Sequence, residues 1–195
     1  MHKNDFNFNS KKFNDWKINK KIESKGNINT YRLMKTVKGK ETFSLLKVVT
    51  VPNESLVEYI KKNETSIKDK NLDVYFEDLV KSIEEYLKKL VKLAENKNVL
   101  KLINYDIVKN KTNLNWEVYI QLEDLKLFKD SYDIKKLTNE EIVRIGLKLC
   151  KTIELCHIQG IVHGNIKDDS IYINEYGEYK LGNFDFEYET KNIIN

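Results

Sequence analysis

His163-Gly164-Asn165-Ile166-Lys167-Asp168-Asp169-Ser170, followed shortly by Lys180-Leu181-Gly182-Asn183-Phe184-Asp185, is the stretch from which the fold can be read. It gathers a histidine, two lysines, three aspartates, a hydroxyl and two side-chain amides into two short runs. A neutral amide has no basic lone pair near neutral pH, so Asn165 can position a hydroxyl group but cannot take its proton. Magnesium favours hard, anionic oxygen, and its usual sites combine one or two carboxylates with substrate phosphates. Asn183 offers only a neutral carbonyl oxygen and Ser170 only a hydroxyl.

Working outward, the residues from Leu137 to His163 predict a long helix entering this loop, because Ile142, Ile145, Leu149 and Ile153 recur at helical spacing. Thr138 or Asn139 can cap its start. A second amphipathic helix is predicted over Phe76 to Leu93, with Leu79, Ile83, Tyr86, Leu87 and Leu90 on one side. Trp116-Glu-Val-Tyr-Ile-Gln-Leu122 and Phe43-Ser-Leu-Leu-Lys-Val-Val49 predict strands, and Ile22 to Tyr31 an ordinary hairpin. Ser55 to Lys62 predicts a short extra helix within a longer connection.

The order and spacing of these motifs resemble those of the eukaryotic-like Ser/Thr protein kinases, most of all the bacterial members, over most of the chain. The family's catalytic loop reads H-R-D-L-x-x-x-N and is followed by D-F-G. On that pattern Asn165 takes the position of the catalytic base, Ser170 that of the metal-binding Asn and Asn183 that of the metal-binding Asp; Lys167 is kept. The H-G-N form of the loop resembles that of known pseudokinases. Lys47 matches the lysine of V-A-I-K, which in active members pairs with nucleotide phosphates and a helical Glu. Tyr86 falls at the Glu position with Glu84 and Glu85 beside it, and a shift of one residue restores the acidic partner. On the glycine-rich pattern, Glu23, Lys25 and Ile28 replace the three glycines, whose absence blocks close approach of backbone to phosphate.

The resemblance places Leu122 at the gatekeeper, with the backbone of Glu123 and Leu125 facing an adenine. Leu45 replaces the small Ala of V-A-I-K and Tyr172 lies at the floor beneath the base, so bulk at both sites is expected to fill adenine's space. No cofactor is therefore expected, and ATP and magnesium at most weakly. Leu90, Leu102, His163 and Phe184 match the family's stack of buried side chains, all with suitable residue types.

The expected fold class is α+β: a complete kinase-like small lobe over residues 1 to 122, then a hinge and the first part of the helical large lobe over 123 to 195. Family domains continue well beyond this point, so one apolar face of the segment from Ile142 to Leu155 is expected to be uncovered, as at an interface. The leading expectation is a regulatory pseudokinase that binds a protein partner, a true kinase or a complementary chain, through that face. The rivals are an ATP-binding kinase with residual transfer, supported by Lys47, Asn183 and Lys167, and a gene remnant.

Composition sets wider bounds. With 33% charged and 41% hydrophobic residues, the chain suits a soluble globular protein. The net charge of +4 comes from Lys spread among Asp and Glu, without the basic-aromatic cluster of a nucleic-acid surface. No apolar run reaches bilayer length and the polar start is unlike a secretory signal, so a cytoplasmic protein without membrane contact is expected. Cys150 and Cys156 point to different faces of one helix and are expected to be reduced.

Overall fold

The computed structural model describes residues 8–53, 58, 72–110 and 115–184. The expected helix over Ser55 to Lys62 lies outside them apart from residue 58, and so does Asp185. The chain divides into two compact units, Met1–Glu84 with Ile103–Asp124, and Glu85–Leu102 with Leu125–Asn195.

The first unit is built on a five-stranded sheet. Its strands are β1 (Lys17–Lys25), β2 (Ile28–Val37), β3 (Lys40–Val51), β4 (Leu102–Lys109, all but its first residue in this unit) and β5 (Trp116–Glu123), in the spatial order β1-β2-β3-β5-β4. The β1–β2, β2–β3 and β3–β5 pairings are antiparallel. Strand residues alternate between faces, and β3 uses both. Leu46 and Val48 join Phe13, Tyr31, Leu33 and Tyr119 in a buried cluster on one face. The residues between them, Leu45, Lys47 and Val49, pair with Leu122, Ile120 and Val118 of β5 and share the opposite face.

The cluster includes a feature the sequence reading did not anticipate. The segment from Phe8 to Trp16 packs on this face of the sheet, and Phe13 is fully buried with its ring stacked on Tyr119 at 5.7 Å. Polar contacts hold the segment: Ser10 Oγ donates to Asp106 Oδ2 at 2.6 Å, Asn9 Nδ2 to Glu117 Oε2 at 2.9 Å, and Lys12 Nζ to the Tyr105 carbonyl at 3.0 Å. The Tyr119 hydroxyl accepts from the Asn9 amide and donates to Glu117; burial and then this bond hold it well above the usual tyrosine range.

Helix α1 (Leu72–Leu93) begins a turn before the predicted start and runs from the first unit into the second. Leu79, Ile83, Tyr86, Leu87 and Leu90 are all buried, as their spacing predicts, while Glu84 is half-buried and Glu85 exposed. The apolar stripe therefore decides which residues of the Glu84-Glu85-Tyr86 triplet turn inward.

The second unit carries the short strand β6 (Lys126–Leu127), the single turn α2 (Phe128–Ser131), the long helix α3 (Asn139–Ile158), and strands β7 (Ile171–Ile173) and β8 (Tyr179–Leu181). The last two form a three-stranded sheet with β6 in the order β6-β7-β8. Thr138 caps α3 reciprocally: its Oγ1 accepts from the Glu141 amide while Glu141 Oε2 accepts from the Thr138 backbone N–H. Hydrogen bonds from Thr138 backbone and side chain hold the Glu141 carboxyl below its ordinary range. At the other end, Gly160 at φ +66 donates to the His157 carbonyl and Ile161 donates to Cys156, the paired bonds of a Schellman stop.

The buried positions of α3 are Ile145, Thr152 and Cys156, and Phe128, Ile145 and Ile173 form the local core. Ile142, the first of the apolar positions read from the sequence, is 51% exposed, with Val143 and Leu147 beside it. No helix among the described residues is long and apolar enough to cross a membrane.

Candidate functional site

The residues singled out from sequence fall in both units. In the first, the β1–β2 connection is a two-residue turn at Gly26-Asn27, closed by the Lys25–Ile28 pair. Gly26 has φ +55 and Asn27 is not in the left-handed region, the pattern of a II′ turn with glycine at its first central position. Asn27 accepts from the Thr50 amide at 2.9 Å and donates from Nδ2 to the Thr50 carbonyl at 2.8 Å. These bonds tie the tip to the end of β3, and the segment is an ordinary hairpin, as Ile22 to Tyr31 predicts.

Lys47 sits in mid-strand on β3, half-buried, in register with Thr30 and Ile120. One pleat away on its face, Leu45 lies opposite Leu122, and both are buried. Glu123 ends β5 and is half-buried. Next to it Asp124 accepts from Arg32 Nε and Nη2 at 2.9 and 2.6 Å, while the Arg32 guanidinium lies 3.9 Å from the centre of the Phe43 ring. Sequence reading missed this Arg32-Phe43-Asp124 group, whose members are far apart in the chain and belong to no motif.

In the second unit, Leu125 is half-buried at the start of the chain leading to β6. Asn165 and Lys167 are exposed on the loop after α3, and Lys167 Nζ lies 3.6 Å from Asp169 Oδ2. Ser170 is fully buried; its hydroxyl donates to the Asn165 carbonyl at 3.0 Å and accepts from the Lys167 amide at 3.4 Å. The serine thus closes the loop on itself.

His163 is buried with Nε2 2.8 Å from the Gly182 carbonyl and its ring 4.6 Å from that of Phe184. Leu90 and Leu102 are buried in the same unit, so all four residues of the expected stack are interior.

Asn183 has φ +57, a conformation that Asn tolerates better than most residues. Its Oδ1 accepts from the Tyr172 hydroxyl at 2.8 Å and its Nδ2 donates to the Asp169 carbonyl. Tyr172 is buried, and its ring lies so close over Gly182 that a Cβ there would meet it at 2.7 Å. Sequence reading assigned Tyr172 to the floor of an adenine pocket and gave no sign of its bond to Asn183.

These donors are a poor match for magnesium. The one oxygen of Asn183 is neutral and already accepts a hydrogen bond, and the Ser170 hydroxyl is buried and engaged within its loop.

No family model matches the chain. Among curated proteins it is similar to CBL-interacting protein kinase 33 of Oryza sativa subsp. japonica, 25% identical over 165 residues covering 82% of this chain and 33% of that protein. It is similar to CBL-interacting serine/threonine-protein kinase 3 of Arabidopsis thaliana, 22% identical over 172 residues, 86% of this chain and 35% of the relative. Serine/threonine-protein kinase PAK 4 of Homo sapiens is 24% identical over 150 residues, 76% and 23% of the two chains. The homologues are Ser/Thr protein kinases. At this low identity they support a protein-kinase-like chain, and the five-stranded sheet with few helices is consistent with a kinase small lobe. The chain spans about a third or less of the length of these relatives.

Proposed function

We propose that this protein is a pseudokinase, a kinase-like module that regulates by binding another protein and does not transfer phosphate. The observation that carries the reading is the state of Asn183: at the metal-binding position of the motif stands a neutral amide whose oxygen accepts from Tyr172 and whose nitrogen donates to Asp169. Asn165 adds the lack of a base, since an amide cannot accept the proton of a substrate hydroxyl. Leu45 and Leu122, buried side by side next to Lys47, support weak or absent adenine binding.

The partner, a true kinase or a complementary chain, would use the exposed face of α3, where Ile142, Val143 and Leu147 are each more than half exposed. The bacterial affinity and the cytoplasmic placement rest on the sequence resemblance and composition and belong to this proposal.

A second reading, an ATP-binding kinase with residual transfer, draws support from Lys47, kept in mid-strand on β3, and from the kinase names of the relatives. Thermal unfolding with and without ATP, in magnesium and in chelator, separates the two. A ligand at a hundred times its dissociation constant stabilises a fold by about 2.7 kcal/mol, a readily visible shift. The pseudokinase reading expects no shift and no autophosphorylation. A magnesium-dependent shift followed by phosphate incorporation would replace it with the second reading.

A further inference from the structure

The turn Gly182-Asn183-Phe184 is fastened at every residue by groups of its own unit. Gly182 donates from its amide to the Ser170 carbonyl at 2.8 Å, and its carbonyl lies 2.8 Å from His163 Nε2. Asn183 is held at both ends of its side-chain amide, by the Tyr172 hydroxyl and by the Asp169 carbonyl. Phe184 is buried against the His163 ring.

The chemistry of position 183 is specific. One end of the side chain must accept, because it faces a hydroxyl that donates, and the other must donate, because it faces a carbonyl that can only accept. Asn meets both demands, and at φ +57 it also suits the backbone. An ionised Asp would accept from Tyr172 but would set a second oxygen against the Asp169 carbonyl. The residue that removes the metal ligand is therefore also the residue that makes the second bond.

We infer that Tyr172, Asn183 and the Asp169 carbonyl form a latch that keeps this turn assembled, with Phe184 on His163, without nucleotide or metal. The inference deepens the non-catalytic reading of the same site, on which it rests where it concerns magnesium; the latch itself needs no ligand. It gives the regulatory module a single standing conformation to present to a partner.

The test uses the full chain without nucleotide, comparing wild type, Asn183→Asp, Tyr172→Phe and the double variant by thermal unfolding and amide hydrogen exchange. Restoring the family's acid by Asn183→Asp should lower Tm by about 2–6 °C, the size expected for leaving one or two buried polar groups without proper partners in a domain of this length. Exchange at Gly182 to Phe184 should quicken at least tenfold while β3 and β5 are unchanged. Tyr172→Phe, which keeps the ring over Gly182, should do the same, and the double variant should lose less than the sum because the two bonds anchor one side chain and the loss of either loosens the other. If Asn183→Asp fails to fold, Tyr172→Phe carries the test. Unchanged Tm and exchange in both single variants, or strictly additive losses, would overturn the latch, as would a rise in wild-type Tm in millimolar magnesium chloride alone that Asn183→Ala abolishes. A magnesium-dependent ATP shift with autophosphorylation in the wild type, beside the expected losses, would support the latch and refute the non-catalytic reading.

Discussion

Replacing Phe13 by alanine tests whether the segment from Phe8 to Trp16 is a structural part of the first unit. The ring is fully buried, stacked on Tyr119 at 5.7 Å, and closes a cluster with Tyr31, Leu33, Leu46 and Val48. Burying a phenylalanine side chain contributes about 1.5–3 kcal/mol by transfer from water. The cavity left behind raises the usual Phe→Ala cost to about 3–5 kcal/mol. Against a total stability of about 5–15 kcal/mol that is a large fraction.

The segment has a second way to respond, which is to peel off the sheet. Its polar ties, Ser10 to Asp106, Asn9 to Glu117 and Lys12 to Tyr105, then open together, and the loss is capped at the segment's docking energy. Urea unfolding followed by the fluorescence of Trp16 and Trp116 measures the loss, and timed trypsin digestion at the already exposed Lys11 and Lys12 reports whether the backbone around them opens under native conditions. We expect a fall of about 3–5 kcal/mol if the cavity stays, or a smaller fall with rapid cleavage at those lysines if the segment detaches. A loss below about 1 kcal/mol with unchanged digestion would refute the argument, because neither burial nor docking would then depend on the ring.

Three further outcomes follow from the second unit. Gly182→Ala places a Cβ 2.7 Å from the Tyr172 ring and 2.8 Å from Leu100, and should cost about 1–3 kcal/mol in chemical denaturation through overpacking. Native titration with Ellman's reagent should find Cys150 reactive and Cys156 silent until denaturant is added, since Cys150 is exposed and burial pushes the Cys156 thiol up to about 11. Thr138→Ala should cost about 1 kcal/mol by removing the cap of α3. Because the Glu141 carboxyl is held low in the folded state, its contribution is present above the unfolded carboxyl range and fades as pH falls through the folded value. The Thr138→Ala deficit measured by thermal unfolding should therefore shrink in acid.

Much of the framework was legible because its signals are local and repetitive. The stripe from Leu79 to Leu90 repeats at helical spacing, and every member is buried. The hairpin over Ile22 to Tyr31 turns at Gly26, where glycine tolerates positive φ, and of the two candidate caps of α3, Thr138 and Asn139, the structure uses Thr138. The Phe8–Trp16 cover was not legible, since three aromatics in a polar stretch show no period and need the β2, β3 and β5 side chains to define their site.

Sequence alone determined what two side chains of the second unit can offer: Asn165 has no basic lone pair and Asn183 no anionic oxygen, wherever the chain puts them. It determined too which helical and strand faces are apolar, because those patterns repeat within one element. Only the tertiary structure decided which groups the Asn183 amide meets. The left-handed backbone at Asn183 and the β7–β8 pairing bring the Tyr172 hydroxyl and the Asp169 carbonyl to opposite ends of one amide. Partners so far apart in the chain meet only once the fold closes, because a hydrogen bond depends on distance and direction that no residue spacing encodes.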